Sequence, residues 1–152
     1  MKILLAIDGS SCSKKATETL VSHYRPQDAE VVVMNVVESA QLMPVTYGLG
    51  TGPVFAENYV AIEQEWRAEA EKLVADVAAQ LEAAGFKTTT RVEDGDARER
   101  ILDYAQKWRA DLILLGSHGW KGLDRFLLGS VSEAVARQAK CSVEIVRAPA
   151  AA

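Results

Sequence analysis

Cysteine is almost missing from this chain, with Cys12 and Cys141 the only two among 152 residues. They stand far apart, with neither the close spacing of a zinc site nor the density of a disulfide framework, so neither device organises the fold. Both read as packing or incidental thiols. Long apolar runs are also lacking, and every run is too short to cross a bilayer, so no transmembrane helix is expected. Positive charge has no surplus: 17 Lys and Arg face 21 Asp and Glu, a formal net charge of −4. Such a balance repels polyanions at long range and argues against nucleic acid as a general partner. A small anion remains possible, because a helix N-terminus can make a local positive site in an acidic protein. The opening stretch Met1 to Asp8 carries one lysine, a short apolar run and no small-residue cleavage site. It reads as a first strand rather than a signal peptide, and the cytoplasm is the expected location.

What is present suits one ordinary domain. A chain of this length buries roughly 70% of its unfolded surface, enough for a core without staples. Continuous apolar runs at 3–7, 31–37, 112–115 and, more weakly, 143–146 are rich in β-branched or leucine side chains and read as strands covered on both faces. The stretch 87–93 alternates Thr88, Thr90 and Val92 with more polar neighbours, which predicts a half-exposed strand nearer an edge. Helical patterns occupy about 13–24, 57–84, 97–108 and 130–139. Asp96 with Glu99 resembles a capping pair, and Gly85 stands where the long helix should stop. The β–α alternation predicts a single doubly wound α/β domain with five parallel strands and four helices. It spans 1–147, followed by a frayed tail at 148–152. The stretch 39–56, broken by Gly and Pro, reads as a connection, with a ligand-covering lid as the other reading. Its Gly48-Leu49-Gly50-Thr51-Gly52 run has no Gly-Lys-Ser or Gly-Lys-Thr after it and is not a phosphate-binding loop.

Chemistry concentrates after the fourth strand, where Gly116, Ser117, His118 and Gly119 lead through Trp120, Lys121 and Arg125 to Gly129, Ser130, Val131 and Ser132 at the start of a helix. Ligands of doubly wound sheets settle beyond the carboxyl ends of strands. Glycines without side chains let the backbone approach a bound group, and unpaired N–H groups at a helix start suit phosphate. A plainer reading stays open: Ser130 with Glu133 fits a capping box that serves only its own helix, and Gly116 with Gly119 fits a simple tight turn. His118, without a carboxylate or cysteine beside it in sequence, fits a wall of the site better than a metal ligand or a catalyst. Lys121 and Arg125 suit phosphate neutralisation or plain solvation. Trp120 suits a loop anchor or dimer contact better than a shield over the ligand.

The spacing Gly116-x2-Gly119-x9-Gly129-Ser130 resembles the ATP-binding motif of the universal stress protein family. The resemblance extends from Ile7-Asp8-Gly9-Ser10 through Gly95-Asp96 to the closing Cys141–Arg147 stretch. It implies strand order 3-2-1-4-5 and a nucleotide across the ends of the first and fourth strands. Asp8 would contact ribose or adenine, Val36 would line the adenine pocket, and Gly116, His118, Gly119, Gly129, Ser130, Val131 and Ser132 would surround ribose and phosphates. ATP, ADP or AMP is the implied ligand, with Mg2+ able to accompany the phosphates. A homodimer pairing the last strand, 143–147, is also implied. The resemblance breaks where Ser142 replaces the proline common after the cysteine and where Glu144 puts a charge in the last strand, facing water or pairing with Arg147.

A nucleotide-responsive stress or regulatory module with a still unknown protein partner is therefore the expected function. A slow ATPase or phosphotransferase is the alternative enzyme reading, against which stand the missing general base, Walker motif and metal-binding acid pair. A nucleotide-free interaction or chaperone-like protein is the third, suggested by the long alanine-rich helix.

Overall fold

A computed structural model describes residues 1–38, 53–119 and 127–149, with the backbone alone for 53–57. Its strands are β1 (Lys2–Ala6), β2 (Glu30–Val37), β3 (Lys87–Asp94), β4 (Leu112–Gly116) and β5 (Ser142–Val146). Its helices are α1 (Ser11–His23), α2 (Pro53–Ala83), α3 (Ala97–Trp108) and α4 (Ser130–Gln138), with one 3-10 turn at Pro26–Asp28. All neighbouring strands are parallel, in the order β3-β2-β1-β4-β5. This is the doubly wound sheet that the alternating pattern predicts, and the half-exposed β3 lies at one edge.

Central strands alternate their side chains between two covered faces, which explains their unbroken apolar runs. Ile3, Leu5 and Ile7 pack with Ala16 and Leu20 of α1 and with Val74, Ala78 and Leu81 of α2. Leu4 and Ala6 turn the other way, onto Ile101 and Ala105 of α3 and Val135 of α4. Each fully buried Leu or Ile is worth about 1.5–3 kcal/mol relative to exposure.

Helix ends follow local chemistry. Ser10 caps α1 by accepting from the Ser13 N–H at 3.2 Å, so the helix starts two residues before the apolar pattern does. Asp96 caps α3 by accepting from the N–H groups of Arg98 and Glu99, as its sequence signature predicts. Past the end of α2, Gly85 takes φ +94 while the Phe86 N–H returns to the Leu81 carbonyl at 3.0 Å. The other end of α2 corrects the sequence reading: 53–56, expected in a loop, are helical. Pro53 is tolerated there because a first-turn residue has no intrahelical acceptor for an N–H. The lid reading falls on 39–52, outside the described residues. Among the described residues, no helix is long and apolar enough to cross a membrane.

Strand order positions the site. From β1 the chain moves outward through β2 to β3, then returns to the far side of β1 as β4 and continues to β5. The connections leaving β1 and β4 diverge, opening a crevice at their carboxyl ends.

Candidate functional site

A cleft of about 540 Å³ lies at that divergence. Asp8 follows β1, β2 supplies Asn35 and Val36, β4 leads into Gly116 to Gly119, and the start of α4 with its cap residue contributes Gly129 to Ser132. Nine residues singled out in the sequence, namely Asp8, Val36, Gly116, His118, Gly119, Gly129, Ser130, Val131 and Ser132, thus line one cavity. Trp120, Lys121 and Arg125 lie outside the described residues.

The α4 end is built around one carbonyl. The Ser117 oxygen accepts from the Gly129 N–H at 2.8 Å and lies 2.8 Å from the Ser132 hydroxyl, so both ends of the 118–128 connection are pinned together. The Ser132 hydroxyl is also 2.9 Å from the Gly129 carbonyl and has one proton to donate between the two. Ser132 is 3% exposed and acts in this arrangement as a strap.

The plain capping-box reading fails here, because Gly129, not Ser130, is the cap residue, and it offers no side-chain bond. The helical ladder begins with Glu133 N–H donating to the Gly129 carbonyl at 2.9 Å. Ser130, Val131 and Ser132 therefore carry N–H groups with no acceptor within the helix. Glu133 turns to Arg137 instead, at 2.8 Å.

The glycines are required by contact rather than by backbone sign. Positive φ occurs among the glycines only at Gly9, Gly85 and Gly95 in the described residues. A Cβ on Gly116 would lie 2.7 Å from the carbonyl carbon and the Cβ of Cys12, so this position must be bare for α1 to pack. A Cβ on Gly119 would come within 2.6 Å of the Asp8 carboxylate. One on Gly129 would sit 3.1 Å from the Ser117 oxygen.

Asp8 also serves its own turn, accepting from the Ser10 N–H at 2.9 Å. The Ser10 hydroxyl donates to the His118 carbonyl at 3.3 Å, linking the β1 and β4 connections. His118 places Nδ1 3.0 Å from the Ser117 hydroxyl, while Nε2 is buried without a hydrogen-bond partner among the described residues. Cys12 lies behind this wall, with Sγ 3.6 Å from the Ser117 hydroxyl. Burial opposes ionisation of its thiol, but hydrogen bonds from the Ala148 backbone and Ser117 outweigh burial and lower its pKa. Burial raises that of Cys141, which packs on the α3–α4 face. Both cysteines are free thiols.

Sequence reasoning missed the other half of the cleft: Asn35, Glu38, Ala97 and Arg98, with Asp96 noticed only as a cap. Glu38 and Asp96 each lie within two residues of a strand's carboxyl end. The rule that ligands gather beyond such ends could have found both. Arg98 is the one lysine or arginine among the described lining residues, and it is paired with Asp96. The Arg98 side chain, helped by backbone N–H groups, lowers the Asp96 pKa to about 2. Among the described residues, no group of three His, Cys, Asp or Glu side chains could hold a metal ion.

Residues 1–147 match the family model described as "Universal stress protein family". This chain belongs to the universal stress protein family. It is 34% identical over 148 residues to universal stress protein YxiE of Bacillus subtilis, covering 96% of this chain and 98% of that protein. Among solved structures, MJ0577 is 25% identical with a TM-score of 0.83, over 99% of this chain and 97% of the other. A universal stress protein of Arabidopsis thaliana, solved with AMP bound, is 20% identical with a TM-score of 0.70, over 99% and 93% of the two chains. At that identity the likeness establishes the shared fold.

Proposed function

We propose that the cleft binds an adenine nucleotide, ATP, ADP or AMP, and that the protein works in the cytoplasm as a nucleotide-responsive regulatory module. The observation that carries this reading is the open N-terminus of α4, whose three N–H groups at Ser130, Val131 and Ser132 lack helical acceptors at a cleft whose described lining holds one lysine or arginine, Arg98, itself paired with Asp96. Backbone donors reinforced by the helix dipole are a sufficient anion site. A volume of about 540 Å³ lies within the usual range for small-molecule sites. The AMP held by the Arabidopsis relative supports the same ligand class.

In this reading the phosphates lie at Ser130 to Ser132, with Gly119 and Gly129 keeping the approach clear. Asp8 accepts from the ribose hydroxyls, and Val36 packs on the base. His118 forms part of the wall. Mg2+ would travel with the phosphates, which would supply its ligands. Lys121 and Arg125 add charge from the connecting segment. A partner protein reads the difference between loaded and empty states. A homodimer pairs β5 with its twofold mate and covers an exposed sheet edge.

Calorimetric titration of nucleotide-stripped protein tests the reading. Submillimolar ATP affinity in the native protein, weakened in Ser130→Pro, is the expected result, since proline removes one open N–H at a helix position that tolerates it. Absence of heat and of thermal stabilisation with ATP, ADP and AMP would reject it.

A further inference from the structure

Between the C-terminal ends of α3 and α4, at the opposite end of these helices from the cleft, lies a second hollow of about 180 Å³. Its floor is apolar: Ala105, Ala110 and Ile113 are buried, and Leu102, Ala139 and Cys141 pack beside them in the same core. Burial raises the Cys141 pKa, so the thiol stays protonated and the floor is uncharged at neutral pH. The rim is exposed and polar, formed by Gln106, Arg109, Gln138 and Lys140. Two cations thus stand over an apolar floor, with no carboxylate among the described lining residues. Asp111, whose charge reaches Cys141, does not line the hollow and accepts from the Lys2 N–H at 2.6 Å.

Neither cation has another task in the fold. The side chains of Arg109 and Lys140 make no ion pair or hydrogen bond among the described residues, in contrast to Arg98 and Arg137. Offsetting the helix dipoles does not require them, because Lys107 and Arg137 already stand in the last turns of α3 and α4. Arg109 is also the one non-glycine residue with positive φ among the described residues, at +56. Helices ordinarily end in this conformation with glycine, because a side chain strains it. Here the strain is accepted, and it sets a guanidinium at the mouth of the hollow.

We propose that this hollow is a second ligand site, for a small carboxylic acid with an apolar body, its carboxylate held by Arg109 and Lys140 and its body resting on Leu102 and Ile113. The guanidinium fork matches a carboxylate through two parallel hydrogen bonds, and the amides of Gln106 and Gln138 offer further donors. Hydrocarbon laid on the floor removes apolar surface from water, a gain that a free phosphate or sulfate does not bring. At about 180 Å³ the hollow falls below the usual range for drug-sized ligands, which excludes a nucleotide or a long lipid chain. The site stands apart from the nucleotide cleft and does not depend on what that cleft binds.

Nuclear magnetic resonance titration of the full chain, labelled with nitrogen-15, with hexanoate, hexanol and acetate tests it. Hexanoate is expected to shift the amides of Gln106, Ala110 and Ala139 saturably, and to bind about tenfold or more tighter than hexanol or acetate, each of which lacks one half of the match. Arg109→Gly keeps the left-handed turn, which glycine adopts freely, and removes the guanidinium. Its spectrum should stay native-like while hexanoate weakens by about tenfold, and Lys140→Gln should weaken it by a smaller factor. Equal binding of hexanol, unchanged hexanoate affinity in Arg109→Gly, shifts confined to Ser130, Val131 and Ser132 of the other cleft, or no saturable shift at all would each overturn the site.

Discussion

Asp8 and Gly119 meet so closely that a Cβ on the glycine would lie 2.6 Å from the aspartate Oδ2. The Asp8 carboxylate is held in place by the Ser10 N–H, so the contact sets where it stands in the cleft. Gly119→Ala is expected to displace Asp8 and weaken ATP binding by about tenfold, the scale of one hydrogen bond to a charged group. The melting temperature should change little, because a side-chain tip can move where backbone cannot. Calorimetry beside thermal unfolding separates the two effects, and unchanged affinity would contradict the role given to Asp8.

Gly116→Ala should behave in the opposite way. Its new methyl group would press on the backbone of Cys12 at 2.7 Å, and helix α1 would have to shift. Overpacking of this kind costs about 1–3 kcal/mol. Urea unfolding should show a lower midpoint with an unchanged slope, and native-like stability would show that α1 has room to spare.

Asp96→Ala removes the cap of α3 and should cost about 1 kcal/mol at neutral pH. In the folded protein this carboxyl is lowered from 3.8 to about 2, so its stabilisation is whole above the unfolded value and is lost as pH falls through the folded one. Native protein and variant should therefore converge in stability near pH 2, as followed by denaturant unfolding across an acid series. A constant difference down to that pH would contradict the assignment.

The last strand offers an alkaline counterpart. The Tyr24 hydroxyl donates to Glu144 Oε2 at 2.7 Å, and His23 Nδ1 lies 3.3 Å from the other oxygen. Burial, with the Glu144 bond and charge behind it, raises the Tyr24 pKa to about 12. Because the folded value is raised, the stabilisation is present below the ordinary value of 10.0 and is lost as pH rises through about 12. Glu144→Gln should bring one of the four tyrosines into an earlier tyrosinate absorbance titration. An identical curve would show that Glu144 does not hold the phenol.

The sheet was legible because strands covered on both faces must be apolar throughout, as in Val31 to Met34, which are all buried. The half of the cleft formed by β4 and α4 was legible because its residues run nearly contiguously from Gly116 to Ser132. The opposite half was not, since the Glu38–Ala97 bond joins residues 59 positions apart and neither bears a motif. Glu144 presents the same difficulty: Arg147 was its sequence-local candidate, while its observed partners are His23 and Tyr24, the latter 120 positions away. Pro53 misled through an ordinary rule, because proline breaks a helix interior yet is tolerated in a first turn.

Native mass spectrometry of protein loaded with ATP, comparing the wild type with a Gly129→Val, Ser130→Ala double variant, tests the central claim most directly. A valine at 129 would drive its side chain toward the Ser117 oxygen, 3.1 Å from the first added carbon, and part the strap that holds the α4 end together. The account predicts one nucleotide mass per chain on the wild type and bare mass on the folded variant. A wild type that stays at bare mass after loading would contradict it.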